Sequence, residues 1–140
     1  MQHQTTTSAG DTILLGEKIG RSLKPDDVVA LNGELGAGKT TLIQGIAKGL
    51  GISDWVTSPT FTIINEFKGN LNLYHIDLYR LNSVAEAEDL AIEEYWTKGG
   101  VTAIEWAEKI KDILPDNLIE IDIRVKNENE REIDIKGLKA

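Results

Sequence analysis

A chain of 140 residues that is 41% hydrophobic and 27% charged is sized for one domain, expected over residues 1–140, with the composition of an ordinary globular protein. It has no apolar run near the ~20 residues of a membrane span, no signal-peptide pattern in "MQHQTTTSAG", and no cysteine for disulfides or thiolate zinc sites, so the expected location is cytoplasmic, with no membrane partner. A net charge of −8 with four arginines argues against tight, independent RNA or DNA binding, which depends on basic groups that neutralise phosphates.

In chain order, Ser8 and Asp11 have the form of a capping box. Leu15, Ile19 and Leu23 then recur at helical spacing, which predicts a helix over 8–23. Pro25-Asp26-Asp27 ends it. "VVALN" (28–32) reads as a buried strand. A glycine-rich loop follows, and a second helix is predicted from Lys39 to about Leu50, with Gly49 and Gly51 as stop signals. The runs 58–67 and 71–77 flank Lys68-Gly69-Asn70 as a hairpin. Ser83 and Glu86 open a further helix, which continues or restarts through "LAIEEYW" (90–96), with Glu93-Glu94 on a solvated face. "VTAIE" (101–105) is a second buried strand, and "WAEKIKDIL" (106–114) is amphipathic through Ala107, Ile110 and Leu114. Finally Ile119, Ile121, Ile123 and Val125 alternate with polar residues as a half-buried strand. Residues 131–135 return as its hairpin partner, and "NENERE" (127–132) reads as a solvated turn. His3 falls in a polar tail with no expected role.

The chemistry centres on Gly33-Glu34-Leu35-Gly36-Ala37-Gly38-Lys39-Thr40, a Walker A pattern placed between strand and helix as a phosphate-binding loop requires. Its glycines let backbone amides curve inward around phosphates, and the helix N-terminus adds its own amides and dipole. Lys39 is positioned to neutralise β- and γ-phosphates, and the Thr40 hydroxyl to reach Mg2+. Lys39 is expected in an open site, so that its removal should cost little stability. Magnesium in such proteins usually needs an acid at a neighbouring strand end; Asp77 and Glu105 each end a predicted strand. Ser58-Pro59-Thr60 resembles a phosphate-sensing switch loop, although an ordinary turn is the simpler reading. Trp106 fits either a cover for the nucleotide or a core position, and His75, alone in a strand pattern, reads as a core residue. The fold implied is α/β, a P-loop NTPase-like three-layer sandwich with a mixed central sheet and antiparallel additions.

Several owners of a P-loop are excluded by what is missing. There is no Asn-Lys-x-Asp guanine motif and no Leu-Ser-Gly-Gly-Gln-like signature, and the dispersed arginines do not assemble a kinase lid. "GELGAGKTTL", "SPTFTIINEF", "YHIDLYRL" and "EWAEKI", in this order and spacing, resemble the TsaE family, bacterial ATPases of tRNA threonylcarbamoyladenosine biosynthesis, over roughly residues 8–135. The resemblance implies binding and slow hydrolysis of ATP with Mg2+, in association with a TsaD–TsaB pair that modifies adenosine 37 of tRNAs reading ANN codons. Contact with tRNA would be indirect, through that complex. It further implies that Lys39 contacts phosphates, that Thr40 and Glu105 ligate Mg2+, and that Asp77 orients water or metal. Thr41 would support the loop, Trp106 would lie beside the site, and Thr12 and Arg131 are further candidates for nucleotide contact. Two alternatives stay open at this point: a small P-loop phosphotransferase with Asp77 as base, and a nucleotide-binding adaptor without useful catalysis.

Overall fold

The elements of the computed structural model, which describes residues 2–34, 36–54, 56 and 63–138, are β1 (Gln2–Thr6), α1 (Ala9–Ser22), β2 (Val28–Asn32), α2 (Lys39–Gly49), β3 (Ile64–Phe67), β4 (Leu73–Asp77), α3 (Val84–Asp89), β5 (Val101–Glu105), β6 (Ile119–Val125) and β7 (Arg131–Lys136), with 3-10 helices at Ile92–Thr97 and Ala107–Ile113. The strands form one seven-stranded sheet in the order β1-β7-β6-β2-β5-β4-β3. β2 is parallel to both β5 and β6, and β5 is parallel to β4. β3, β7 and β1 pair antiparallel to their neighbours at the two edges. This is the expected mixed sheet with antiparallel additions.

β2 and β5 are buried on both faces, which is why their sequences are continuously apolar rather than alternating. Val29 and Leu31 join Ile121, Ile123 and the α1 and α2 side chains Ile19, Leu42, Ile43 and Ile46 in one core layer. Val28 and Ala30 face the other way, onto Ile76, Ile104, Ile92, Ala107 and Ile110. Glycines let α1 and α2 approach until their backbones touch. A Cβ at Gly16 would stand 2.5 Å from the Leu42 carbonyl oxygen, and Gly20, Gly45 and Gly49 are equally confined by the opposite helix. Each helix therefore carries a small residue at i and i+4 on the shared side.

Helix ends follow the capping signals. Ser8 caps α1 by accepting from the Asp11 amide at 3.0 Å, and Ser83 caps α3 by accepting from the Glu86 amide at 3.3 Å. α2 starts at Lys39 after Gly38, whose φ of +100° suits glycine.

Two expectations are corrected, for the polar start and for Val125. The polar start is not a tail: it forms β1 on the β7 edge, and His3 Nδ1 lies 2.6 Å from Asp134 Oδ1. Of the two options for the region from Ser83, the restart holds: α3 stops at Asp89, Ala91 turns left-handed (φ +53°), and the chain resumes as a 3-10 helix. The amphipathic run after Glu105 buries Ala107 and Ile110 as expected and takes the form of a 3-10 helix, with non-helical geometry at Ile110. Val125 does not continue the buried stripe of β6: it is 51% exposed, because the strand overhangs the core there. Within the run 58–67, Ile64–Phe67 pairs with β4 as the expected hairpin; residues 58–62, with Ser58, Pro59 and Thr60, lie outside the described residues. Among the described residues no helix is long and apolar enough to cross a membrane.

Candidate nucleotide site

β2 delivers the chain into the glycine loop at the carboxyl edge of the sheet, the edge at which open α/β sheets bind ligands. Gly36 (φ +81°) and Gly38 (φ +100°) take backbone conformations closed to most L-residues. Gly33 is required for another reason: a Cβ there would fall 2.7 Å from the Ile123 carbonyl oxygen of β6. The Ala37 amide donates to the Glu34 carbonyl (3.0 Å), which closes the turn, while Ala37 itself is buried. The first turn of α2, with Lys39, Thr40 and Thr41, follows at once. Its leading amides have no partner within the helix and favour an anion there. Glu34 is exposed, and Leu35 lies outside the described residues.

Lys39 is not in an open site. It is only 6% exposed, with Nζ 3.6 Å from Glu105 Oε1 and 5.1 Å from the centre of the Trp106 ring. The other oxygen of Glu105, Oε2, sits 2.8 Å from His75 Nε2. Burial pushes the Glu105 carboxyl up, but the hydrogen bond and charge of His75, followed by those of Lys39, outweigh it and hold the group below its ordinary range. Glu105 is therefore an ionised carboxylate aimed at the loop.

Asp77 and Glu105 are register partners at the ends of β4 and β5, so the structure brings the two predicted acids side by side. They differ in use. Glu105 is 5% exposed and faces the loop, whereas Asp77 Oδ1 accepts from the Tyr79 amide (3.0 Å) and stabilises the turn after β4. Trp106 packs against the second core layer, the core reading, and its ring also stands beside Lys39. It holds a left-handed backbone (φ +64°), a strained conformation of the kind that concentrates at functional sites.

Arg131 Nε donates to the Ala37 carbonyl (3.0 Å), and its Nη1 donates to the carbonyls of Asn127, Glu128 and Glu130. It thus braces the glycine loop against the β6–β7 turn. Arg131, Thr12, Gly38 and Thr41 line a cavity of about 230 Å3 beside the loop, together with Ser8, Ala9, Glu128 and Asn129. The Thr12 hydroxyl, however, is buried in hydrogen bonds with Thr6 Oγ1 (2.7 Å) and the Ser8 carbonyl (3.3 Å).

Sequence reasoning missed three contributors. His75 is the buried core residue expected, but its bond to Glu105 is signalled only by its place two residues before Asp77, on the same side of β4. Lys109 donates to the carbonyls of Tyr79 (2.6 Å) and Leu81 (3.0 Å), tying the post-β4 turn to the 3-10 helix after Trp106. Part of the turn 127–130, read as merely solvated, forms a cavity wall. Neither of the last two carries a local sequence signal.

Among the described residues no group of three or more His, Cys, Asp or Glu side chains could form a metal cage. A carboxylate and a hydroxyl beside an anion-binding loop suit a hard cation that keeps water and takes phosphate oxygens. Mg2+ in P-loop sites is bound in that way.

A family model described as "Threonylcarbamoyl adenosine biosynthesis protein TsaE" matches residues 6–133. The chain is 43% identical over 128 residues to the tRNA threonylcarbamoyladenosine biosynthesis protein TsaE of Treponema pallidum, covering 91% of this chain and 95% of that protein. It is 45% identical over 129 residues to the protein of the same name from Bacillus subtilis, covering 91% and 80%. The crystal structure of Bacillus subtilis YdiB superposes with a TM-score of 0.81 at 36% identity, over 99% of this chain and 86% of that one. Matched by the family model over residues 6–133 and by these relatives over 91% of its length, the chain belongs to the TsaE family of threonylcarbamoyl adenosine biosynthesis proteins.

Proposed function

We propose that this protein is a Mg2+-dependent ATPase, weak alone, that serves tRNA threonylcarbamoyladenosine formation at position 37 of tRNAs reading ANN codons by acting with a TsaD–TsaB pair. The observation that carries the reading is the Lys39–Glu105 pair at the N-terminus of α2: a cation for phosphates and an ionised acid for a metal, held within 3.6 Å of each other. The family membership supplies the pathway.

In this reading Gly33 to Thr41 cradle the phosphates, with Lys39 leaving Glu105 to neutralise the β- and γ-oxygens. Thr40 and Glu105 hold Mg2+, which when bound offsets phosphate charge. Asp77, beside Glu105 in register, orients water or metal. Trp106 covers the site, and the cavity lined by Thr12 and Arg131 accepts the remainder of the nucleotide. The domain acts as one unit over residues 1–140 in the cytoplasm, and the partners hold the tRNA, in keeping with a net charge of −8. The test is ATP turnover with and without a TsaD–TsaB complex. Stimulation by the pair, together with repeated rounds of tRNA modification, is expected. No stimulation and no effect on repeated rounds would sink the proposal, and phosphate appearing on a hydroxyl acceptor would turn it towards a phosphotransferase.

A further inference from the structure

His75 sits within β4 with no exposed surface, on the sheet face that α2 covers. Its neighbours on the same strand show what a core residue there looks like: Leu73 and Ile76 are fully buried and apolar. An imidazole in such a place forfeits hydration. Nδ1 recovers nothing among the described residues, where it is buried with no hydrogen-bond partner. The polar return among the described residues comes from one bond, Nε2 to Glu105 Oε2 at 2.8 Å. An ionised carboxylate only accepts, so Nε2 must carry the proton and donate it. A leucine or phenylalanine would fill the same volume without the penalty, and so the bond to Glu105 is what the histidine contributes.

The geometry divides the carboxylate. His75 takes Oε2 from below, within the sheet, while Lys39 takes Oε1 from the loop at the longer distance of 3.6 Å. Lys39 is the mobile partner, because phosphates would draw it away; His75 is fixed by the strand. We propose that His75 is the positioning residue that keeps Glu105 Oε1 aimed at the loop after Lys39 has left, so that the metal meets a preset oxygen. This rests on the reading of Glu105 as the Mg2+ ligand. Without His75 the carboxylate loses the donor that β4 anchors and can follow Lys39 or turn to water. Partners of this kind, behind a metal ligand, typically contribute about 10–100-fold to metal affinity or activity.

The test compares His75→Phe, which fills space without a donor, with His75→Gln, whose amide NH2 can reach the position of Nε2. Binding of ADP is titrated in EDTA and over a range of Mg2+ concentrations, with Glu105→Gln alongside and melting temperatures recorded. In EDTA both His75 variants are expected to bind ADP as the wild type does. With Mg2+, His75→Phe should need at least 10-fold more metal to reach half of the Mg2+-linked gain in affinity, and His75→Gln should stay within about 3-fold of wild type. Wild-type Mg2+ dependence in His75→Phe, or equal losses in EDTA for both variants, overturns the proposal; the second result marks a structural role. An unaltered Glu105→Gln overturns the metal-ligand reading itself, which separates the two failures. Should His75→Phe not fold, nitrogen-15 NMR of the wild type decides: a slowly exchanging Nε2–H signal that is lost in Glu105→Ala is expected, and its absence from the wild type overturns the inference.

Discussion

The two faces of the sheet are built differently. On one face α1 and α2, two regular helices, press together backbone to backbone through Gly16, Gly20, Gly45 and Gly49. On the other lie the six-residue α3 and two 3-10 helices, interrupted by left-handed residues at Ala91 and Trp106 and by a kink at Ile110. Both faces bury apolar cores. What separates them is the density of regular backbone hydrogen bonding, which tracks resistance to local opening. The closely packed face fixes α2 and hence the loop glycines and Lys39. The irregular face carries Tyr79, Trp106 and Lys109, which are tied to one another by ring contacts and by the Lys109 hydrogen bonds. Glu105 and His75 stand at the junction: their side chains share the helical face, while Trp106 begins the irregular one.

Gly45→Val should break this contrast most severely. A Cβ there collides with the Ile13 carbonyl and lies 2.9 Å from the Gly16 Cα, backbone that no rotamer change can move. A loss of about 3 kcal/mol is expected from the urea midpoint; less than about 1 kcal/mol would mean that the helices part freely. Lys39→Ala acts at the junction. It should weaken ATP binding about 10–100-fold. Because Lys39 is buried on Glu105 rather than open to solvent, it should also cost about 1.5 kcal/mol of nucleotide-free stability. An unchanged melting temperature would contradict the second part.

Acid titration sharpens the same point. The Glu105 pKa is lowered in the folded protein from an ordinary value of 4.5. Its contribution is therefore complete above that value and lost as the pH falls through the folded pKa. The stability advantage of the wild type over Glu105→Gln should be flat near neutrality and shrink below pH 4.5. Dilute samples are needed, because the sequence isoelectric point is about 4.7. A gap constant into acid would mean that the charge of Glu105 does not stabilise the fold. Ser8→Ala removes the cap of α1 and should cost about 1 kcal/mol by thermal melting; no change would show that the β1–α1 turn alone fixes the helix start. Smallest of all, Ala91→Gly on the irregular face relieves a left-handed alanine (φ +53°), offset by greater freedom when unfolded. A net gain of about 0.5 kcal/mol or less is expected, and a clear loss would show that the Ala91 methyl packs usefully.

Local chemistry was legible wherever the determinant was short-range. The glycine loop, the caps at Ser8 and Ser83, the buried strands β2 and β5 and the two strand-end acids all read directly, because each depends on residues within a few positions. The polar strand β1 did not, since it is a strand only by pairing with β7 across more than a hundred residues. Of the four contact glycines Gly49 alone reads as a stop signal; their closeness appears only when two helices meet. The 3-10 geometry after Glu105 was hidden because its apolar spacing suits an α-helix as well.

By itself, then, the sequence determined that a phosphate-binding loop sits between a buried strand and a helix, and that Asp77 and Glu105 end strands. Those are properties of local spacing and of alternation. Only the tertiary structure decided what each acid faces: Glu105 lies between His75 and Lys39, while Asp77 is turned into its own loop. Burial and long-range register set those partners, and neither is encoded within the reach of a single motif. For the same reason Lys39 proved to be buried and His75 to be more than core filling.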